Sequence, residues 1–449
     1  MAQVSPVHVD PKNVLDSLSR HMLVDGYHVV QDLRRSRGCY IYDSLHDCEI
    51  LDFYSHFATV PVGYGHPKMT SPEFLEELAW AAVTKPANSD IYTPEMAGFV
   101  DAFTRIAIPE SHGKHLFFVE GGALANENMI KAAFDWKVRQ NFRKGHRSEV
   151  GTKIIHFEQA FHGRSGYTLS MTNTSDPRKT MYFPKFPWPR IVSPKLSFPL
   201  TKESLEVTMK LEELAVAQIQ QALVDSRDDV AALLIEPIQG EGGDNHFRPE
   251  FLAKLRALCD ENHMLFCVDE VQTGFGMTGT WWAFQGLGFN PDMFSFGKKT
   301  QVCGFASDDR IMGEPDNVFT VSSRINSTWG GNLLDMVRCR KYLEICEEEN
   351  LVENARVVGE FLLGKLAELA TEFPGRMTNI RGRGLFIAFD LPSGDVRGKV
   401  LSCWLQKHNV MGLSSGDRAI RLRPPLTLTK EDALVGVSRL RAALTEVMG

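Results

Sequence analysis

Asp269 and Lys298 each close a short apolar run. The first run, Met264-Leu265-Phe266-Cys267-Val268, holds no charged side chain and stops at Asp269-Glu270. The second, Asp292-Met293-Phe294-Ser295-Phe296-Gly297, delivers Lys298 and Lys299. Apolar runs of this length are expected of strands buried on both faces of a parallel sheet, and such sheets carry their chemistry at the carboxyl ends of the strands. An acid and a lysine at the ends of two neighbouring strands can converge on one small ligand. Pyridoxal phosphate chemistry needs this pair: a lysine amine forms a Schiff base with the cofactor aldehyde, and a carboxylate holds a proton on the pyridine nitrogen through a charge-assisted hydrogen bond. A lone Asp or Lys is more often a loop cap or a solvated strand end, so the reading rests on the pair and on the pieces around it. Strand alternation points Lys298 and Lys299 to opposite faces, which leaves one for chemistry and one for a polar or ion-paired position.

Other strands must hold the remaining groups. His115-Leu116-Phe117-Phe118-Val119 runs into Glu120-Gly121-Gly122-Ala123-Leu124-Ala125-Asn126-Glu127 and then a helix through Trp136. Glycines just before a helix leave backbone N–H groups open at the positive end of the helix dipole, and that combination cradles a phosphate as well as it makes a plain turn. Lys153-Ile154-Ile155-His156-Phe157 is another expected strand, followed by Ala160-Phe161-His162-Gly163-Arg164-Ser165. There a flat aromatic can stack on a ring, and a guanidinium can grip a carboxylate bidentately. Val230-Ala231-Ala232-Leu233-Leu234-Ile235 ends in Glu236-Pro237-Ile238-Gln239-Gly240-Glu241-Gly242-Gly243, whose glycines allow close approach to a ligand. In Ile420-Arg421-Leu422-Arg423-Pro424-Pro425-Leu426, alternation sends Arg421 and Arg423 to one face, so the pattern does not choose between them.

At 449 residues the chain can bury a large core and hold two domains. A net charge of −7 offers no broad basic surface, which argues against nucleic acid and anionic membrane as partners. Eight cysteines stand singly, with no Cys-x-x-Cys, which argues against a zinc site and for a reducing compartment. Met1 to Asp16 lacks the apolar core of a signal peptide, and no run approaches the ~18 apolar residues of a membrane span, so a cytoplasmic protein is expected. No repeat or low-complexity segment is visible. The spacing Gly274-Phe275-Gly276-Met277-Thr278-Gly279 mimics a dinucleotide fingerprint, but a polar stretch separates it from the strand and Thr280-Trp281-Trp282 is a poor helix start. Helices are expected near 14–23, across 205–226, from about 334, and near 351–373. Further strands are expected at 40–42, 50–53 and 384–389, with a surface or interface loop over 182–199.

Val268-Asp269-Glu270-Val271-Gln272-Thr273-Gly274, with Asp292 and Gly297-Lys298, resembles the signature of the class III (omega) aminotransferases. The resemblance spans nearly the whole chain. It implies an α/β chain of the fold type I pyridoxal-phosphate transferases: a large domain built on a mostly parallel seven-stranded sheet, and a smaller α+β domain. The implied divisions are an N-terminal segment over 1–60 that packs with the small domain, a cofactor-binding domain over 61–333, and a small domain over 334–449. It also implies pyridoxal 5′-phosphate on Lys298, Asp269 at the ring nitrogen, Phe161 on the ring face, and Gly122, Ala123, Gln272 and Thr328 among the cofactor's contacts. Many relatives have a hydroxyl in the Gly121-Gly122-Ala123-Leu124 turn, and this chain has none. The Thr328 hydroxyl of Asn326-Ser327-Thr328-Trp329-Gly330-Gly331-Asn332, reaching across a homodimer interface, is the implied substitute.

Glu120-Gly121-Gly122-Ala123-Leu124-Ala125 and Gly297-Lys298-Lys299-Thr300-Gln301 look most like the lysine 6-aminotransferase branch. That implies transfer of the terminal amino group of L-lysine to 2-oxoglutarate, giving 2-aminoadipate 6-semialdehyde, which cyclises, and L-glutamate. Arg164, Glu241, Asn326 and Arg421 are the implied substrate contacts, with Arg421 favoured over Arg423 by family position and Glu241 as a switch upon it. Alternatives are another omega-amine donor such as ornithine, 4-aminobutyrate or a diamine, a fold type I aminomutase, or a catalytically silent protein on the same fold. The last would lack a reason to keep Asp269 and Lys298 together.

Overall fold

The computed structural model describes residues 9–449, so the first eight residues of the Met1 to Asp16 stretch lie outside the described residues. Seven strands form the central sheet. In chain order they are β1 (His115–Val119), β2 (Lys153–Phe157), β3 (Arg190–Ile191), β4 (Val230–Ile235), β5 (Leu265–Asp269), β6 (Met293–Phe296) and β7 (Cys303–Ser307). Across the sheet they stand β1-β7-β6-β5-β4-β2-β3. From β6 to β3 every pairing is parallel, and β7 runs antiparallel to both β6 and β1. The β6–β7 link, residues 297–302 with one 3-10 turn at Lys298–Thr300, is too short for the crossover helix that a parallel partner requires.

Along β5 the side chains alternate between two separate cores. Phe266 and Val268 pack with Leu233, Ile235, Phe294 and Phe296, whereas Leu265 and Cys267 pack with Leu234, Met293 and the Met129, Ala133 and Trp136 side chains of α1 (Gly122–Arg143). A strand with apolar neighbours on both faces cannot be amphipathic, which explains the unbroken run. Each such side chain stabilises the fold by roughly 1.5–3 kcal/mol on leaving water. Asp269 shares the parity of Leu265 and Cys267, so its carboxylate emerges on the α1 side of the sheet.

Downstream, helices at Leu333–Glu348 and Leu351–Glu372 lead to a second, antiparallel sheet in the order Thr378–Arg383, β8 (Phe386–Asp390), β9 (Ala419–Leu422), Leu413–Ser415. The N-terminal hairpin, Tyr40–Asp43 with Cys48–Asp52, joins this part of the chain: Leu51 pairs in parallel with Val410. The long helix Lys202–Ser226 begins at a Thr201–Ser204 capping box.

Several boundaries differ from expectation for identifiable reasons. The helix expected near 14–23 ends at Ser19, since it buries no residue that would hold a longer one. The stretch 182–199 is not all loop: it contributes β3, flanked by Pro189 and Pro194, in the edge position where proline is tolerated. Gly384 and Leu385 turn rather than extend, and at Gly384, with φ +56, a side chain would strike the Met277 carbonyl. β9 stops at Leu422 because Pro424 and Pro425 have no N–H for the ladder. Lys298 does not extend β6 either. Gly297 ends the strand and Lys298 adopts a left-handed conformation with φ 54, so strand alternation is not what separates the two lysines.

Candidate active site

A cavity of about 480 Å³ opens at the carboxyl ends of β5 and β4. Lys298, Asp269, Phe161, Glu241 and Arg421 line it, together with Gly122 and Ala123 at the start of α1. Gln272 and Arg164 also reach it, so nine of the anticipated residues meet in one place.

Asp269 is buried, and its carboxylate gathers donors from four parts of the chain. Oδ2 accepts from Asn126 Nδ2 at 2.7 Å and faces His162 Nδ1 at 2.8 Å; Oδ1 accepts from the Val271 N–H at 3.0 Å and the Ser295 hydroxyl at 3.3 Å. Asn126 also donates to the His162 carbonyl at 3.0 Å, fixing its amide orientation. Sequence reasoning assigned no role to Asn126, His162 or Ser295. The His162 Nε2 and Asn126 Oδ1 atoms are buried without a protein partner.

Lys298 Nζ has no hydrogen-bond partner among the described residues and stands 5.9 Å from the Phe57 ring centroid. Burial pulls its pKa below the ordinary lysine value, and the Arg421 charge pulls the same way. Lys299 is spent on structure: its ammonium donates to the Gln272 carbonyl at 2.9 Å and the Ala58 carbonyl at 3.4 Å, a polar rather than ion-paired position.

At α1 no side chain caps the first turn, and Gly121 takes φ 97 to enter it. The adjoining turn must also be bare. Gly163 has φ +128, and a Cβ there would lie 2.5 Å from the Ala123 Cβ. The Phe161 N–H donates to Glu236 Oε1 at 2.9 Å while Glu236 Oε2 accepts from the Gly240 N–H at 2.9 Å, which ties the aromatic to the β4 turn. Burial raises the Glu236 carboxyl to about 7, and burial does the same to Glu270.

The two arginines that the pattern left equivalent have different fates. Arg423 is fully buried, ion-paired with Asp244, donates to Gln272 Oε1 at 3.2 Å and lies 3.3 Å over the Phe386 ring. Arg421 instead lines the cavity, donating from Nη2 to Glu241 Oε2 at 2.8 Å, with Nε and Nη1 buried and without a partner. The second oxygen of Glu241 accepts from Lys179, a residue that sequence reasoning passed over. Arg164 is exposed at the cavity edge. Asn326 and Thr328 are exposed and do not line the cavity of their own chain; Asn88 pins their loop elsewhere by donating to the Gly331 carbonyl at 3.1 Å. Outside this site, Cys403, His408 and Glu446 bring three donor atoms within 4.8 Å of one another, but Lys407 already neutralises Glu446 at 2.6 Å.

The set fits pyridoxal 5′-phosphate. A carboxylate held by several donors suits a ring nitrogen, an uncapped helix start suits a phosphate, and an unpartnered amine facing the cavity suits an aldehyde.

The Aminotransferase class-III family profile matches residues 23–444. The chain belongs to this family. Class-III aminotransferases depend on pyridoxal 5′-phosphate, and this member has their fold type I architecture. It is 47% identical over 440 residues to the L-lysine-epsilon aminotransferase of Amycolatopsis lactamdurans, covering 98% of this chain and 97% of that one. A lysine aminotransferase from M. tuberculosis, solved in the internal aldimine form, superposes with a TM-score of 0.95 at 47% identity over 98% of this chain and 100% of that chain. The 4-aminobutyrate aminotransferase of Schizosaccharomyces pombe is 33% identical over 96% of this class-III chain and 92% of its own.

Proposed function

We propose that this aminotransferase moves the terminal amino group of L-lysine to 2-oxoglutarate, giving 2-aminoadipate 6-semialdehyde and L-glutamate. The observation that carries the reading is the Glu241–Arg421 pair facing the cavity of Lys298. The relative named for lysine is 47% identical and the one named for 4-aminobutyrate 33%, which favours lysine over the shorter donor.

Bound pyridoxal 5′-phosphate supplies an aldehyde that condenses with amines and a protonated ring that accepts the electron pair of a carbon losing its proton. The chain's residues do the rest. Asp269 would keep the ring nitrogen protonated, with Asn126, His162 and Ser295 aiming its oxygens. Gly122 and Ala123 would offer N–H groups to the phosphate, and Phe161 would cover the ring face, with Gln272 beside it. Lys298, held below its ordinary pKa by burial, is the amine that would take a proton from the substrate carbon and deliver it to the cofactor carbon that had carried the aldehyde.

Two substrates of different shape must use one site. Glutamate reacts beside a carboxylate, which Arg421 would grip. Lysine reacting through its terminal amine brings only methylenes there, and a buried guanidinium stripped of its partner costs about 3–5 kcal/mol. Glu241 neutralises Arg421 for lysine and moves aside for glutamate, while Arg164 at the cavity edge takes the distant carboxylate.

The exposed Thr328 and Asn326 belong, in this reading, to the cavity of a partner copy in a homodimer. The division into 1–60, 61–333 and 334–449 is part of the same proposal. Eight free cysteines, six of them buried among apolar residues, suit a reducing, cytoplasmic setting. No described helix is long and apolar enough to cross a membrane. Product formation from L-lysine with and without 2-oxoglutarate tests the reading: turnover that needs no keto acid marks an aminomutase, and turnover of ornithine or 4-aminobutyrate but not lysine marks another donor.

A further inference from the structure

We propose that Lys179 is a second dock for the Glu241 carboxylate, a positioning residue that holds Glu241 when Arg421 is given over to the near carboxylate of glutamate or 2-oxoglutarate. The inference rests on the two-substrate reading of Glu241 above.

The geometry confines any motion of Glu241 to its side chain. Its carbonyl accepts from the Gly416 N–H at 2.9 Å, and Gly242 passes so close to Gln159 that a Cβ would lie 1.9 Å from that carbonyl. The backbone is therefore pinned just after the switch residue. One carboxylate bridges two cations, Oε2 to Arg421 and Oε1 to Lys179. Arg421 is 2% exposed and fixed in β9, so it is the carboxylate that must move. Lys179 ends a short turn, Pro177–Lys179, capped by Asp176 accepting from the Arg178 N–H at 3.1 Å. That turn holds the lysine at the cavity rim. Two other cations nearby are committed: Arg397 donates to the Ser415 and Gly416 carbonyls at 3.2 and 2.9 Å, and Arg423 is paired with Asp244.

Leaving Arg421 would strand a bare carboxylate in the cavity mouth if nothing else received it. With Lys179 already in contact, Glu241 exchanges a shared ion pair for a single one. Lys179 thereby favours the state in which Arg421 is open, and it tunes the enzyme toward its dicarboxylate substrates.

The test uses the holoenzyme and glutarate, a dicarboxylate with no keto group to react. Calorimetric titration of Lys179→Met is expected to show glutarate affinity about tenfold weaker, with KM for 2-oxoglutarate raised in step and kcat changed by less than about threefold. Lys179→Arg restores the affinity, and in a Glu241→Ala background Lys179→Met has no further effect on it. The proposal is overturned if Lys179→Met slows the L-lysine half-reaction more than it weakens glutarate, which would make Lys179 a substrate anchor. It is equally overturned if the loss persists undiminished without Glu241. Glu241→Ala alone separates the two levels. Equal effects on the lysine and glutamate half-reactions remove the underlying reading, whereas unequal effects beside an unchanged glutarate affinity in Lys179→Met remove only the role of Lys179.

Discussion

Arg421 gives Glu241 one of its three guanidinium nitrogens, Nη2 at 2.8 Å, and keeps Nε and Nη1 buried without a protein partner. The pair is closed but incomplete. A substrate carboxylate arriving at Arg421 gains donors that Glu241 does not use, while Glu241 retains a contact to Lys179 when it leaves.

Glu241→Ala is expected to slow the L-lysine half-reaction by about 10- to 100-fold, since lysine then meets an unpaired buried guanidinium. The L-glutamate half-reaction should fall by only a fewfold. Single-turnover absorbance with each donor measures both, and equal losses would remove the switch.

At the proposed ring-nitrogen site, Asp269→Asn should lower kcat by about 10²–10³-fold, because the charge that would hold the ring proton is gone. Asn126→Ala keeps the charge but loosens its aim, so about tenfold is expected, with weaker cofactor retention measured by equilibrium dialysis. A full loss from Asn126→Ala would mean that its amide does more than orient Asp269.

Much of this site was legible because buried parallel strands announce themselves as unbroken apolar runs. β1, β2, β4, β5 and β6 stand where such runs lie; β5 ends on Asp269 itself, and the other four lead into turns bearing Gly122, Phe161, Glu241 and Lys298. What the sequence hid is convergence. Asn126 and His162 lie 143 and 107 positions from Asp269, and no local pattern links them. A signal was present for His162, next to Phe161 in a glycine-bounded turn, but a lone histidine carries no partner with it. Arg421 and Arg423 share a face by alternation, and only the placement of Asp244 shows which is consumed by structure. Lys179 lay in a proline-rich stretch with no periodicity, and the left-handed turn at Lys298 is invisible to an argument from strand parity.

Stability should carry a pH signature of Glu236 and Glu270. Burial raises Glu236 from its ordinary 4.5 to about 7, so the folded chain binds more protons than the unfolded one between those values. Stability is therefore lost as pH rises from about 4.5 through about 7, by on the order of 3 kcal/mol for a shift of this size. Glu236→Gln should flatten the fall in Tm across that window, leaving the share due to Glu270; an unchanged slope would contradict a buried, proton-binding Glu236.

Gly163→Ala places a methyl 2.5 Å from the Ala123 Cβ at a φ of +128 that other residues rarely adopt. A loss of about 2–4 kcal/mol in unfolding free energy is expected, with weaker cofactor retention as the start of α1 shifts. Denaturant titration and dialysis measure the two effects. Retention unchanged alongside a stability loss would separate Gly163 from the cofactor cradle.

The most direct test of the account is the visible spectrum of the purified protein before and after L-lysine is added without keto acid. The cofactor's visible band should be present in the wild type, should give way to near-ultraviolet absorbance on adding lysine, and should return with 2-oxoglutarate; Lys298→Ala should not complete the cycle. A band that lysine leaves untouched would contradict lysine as the donor. A protein that shows no band even when supplied with pyridoxal 5′-phosphate would contradict the roles given to Asp269 and Lys298.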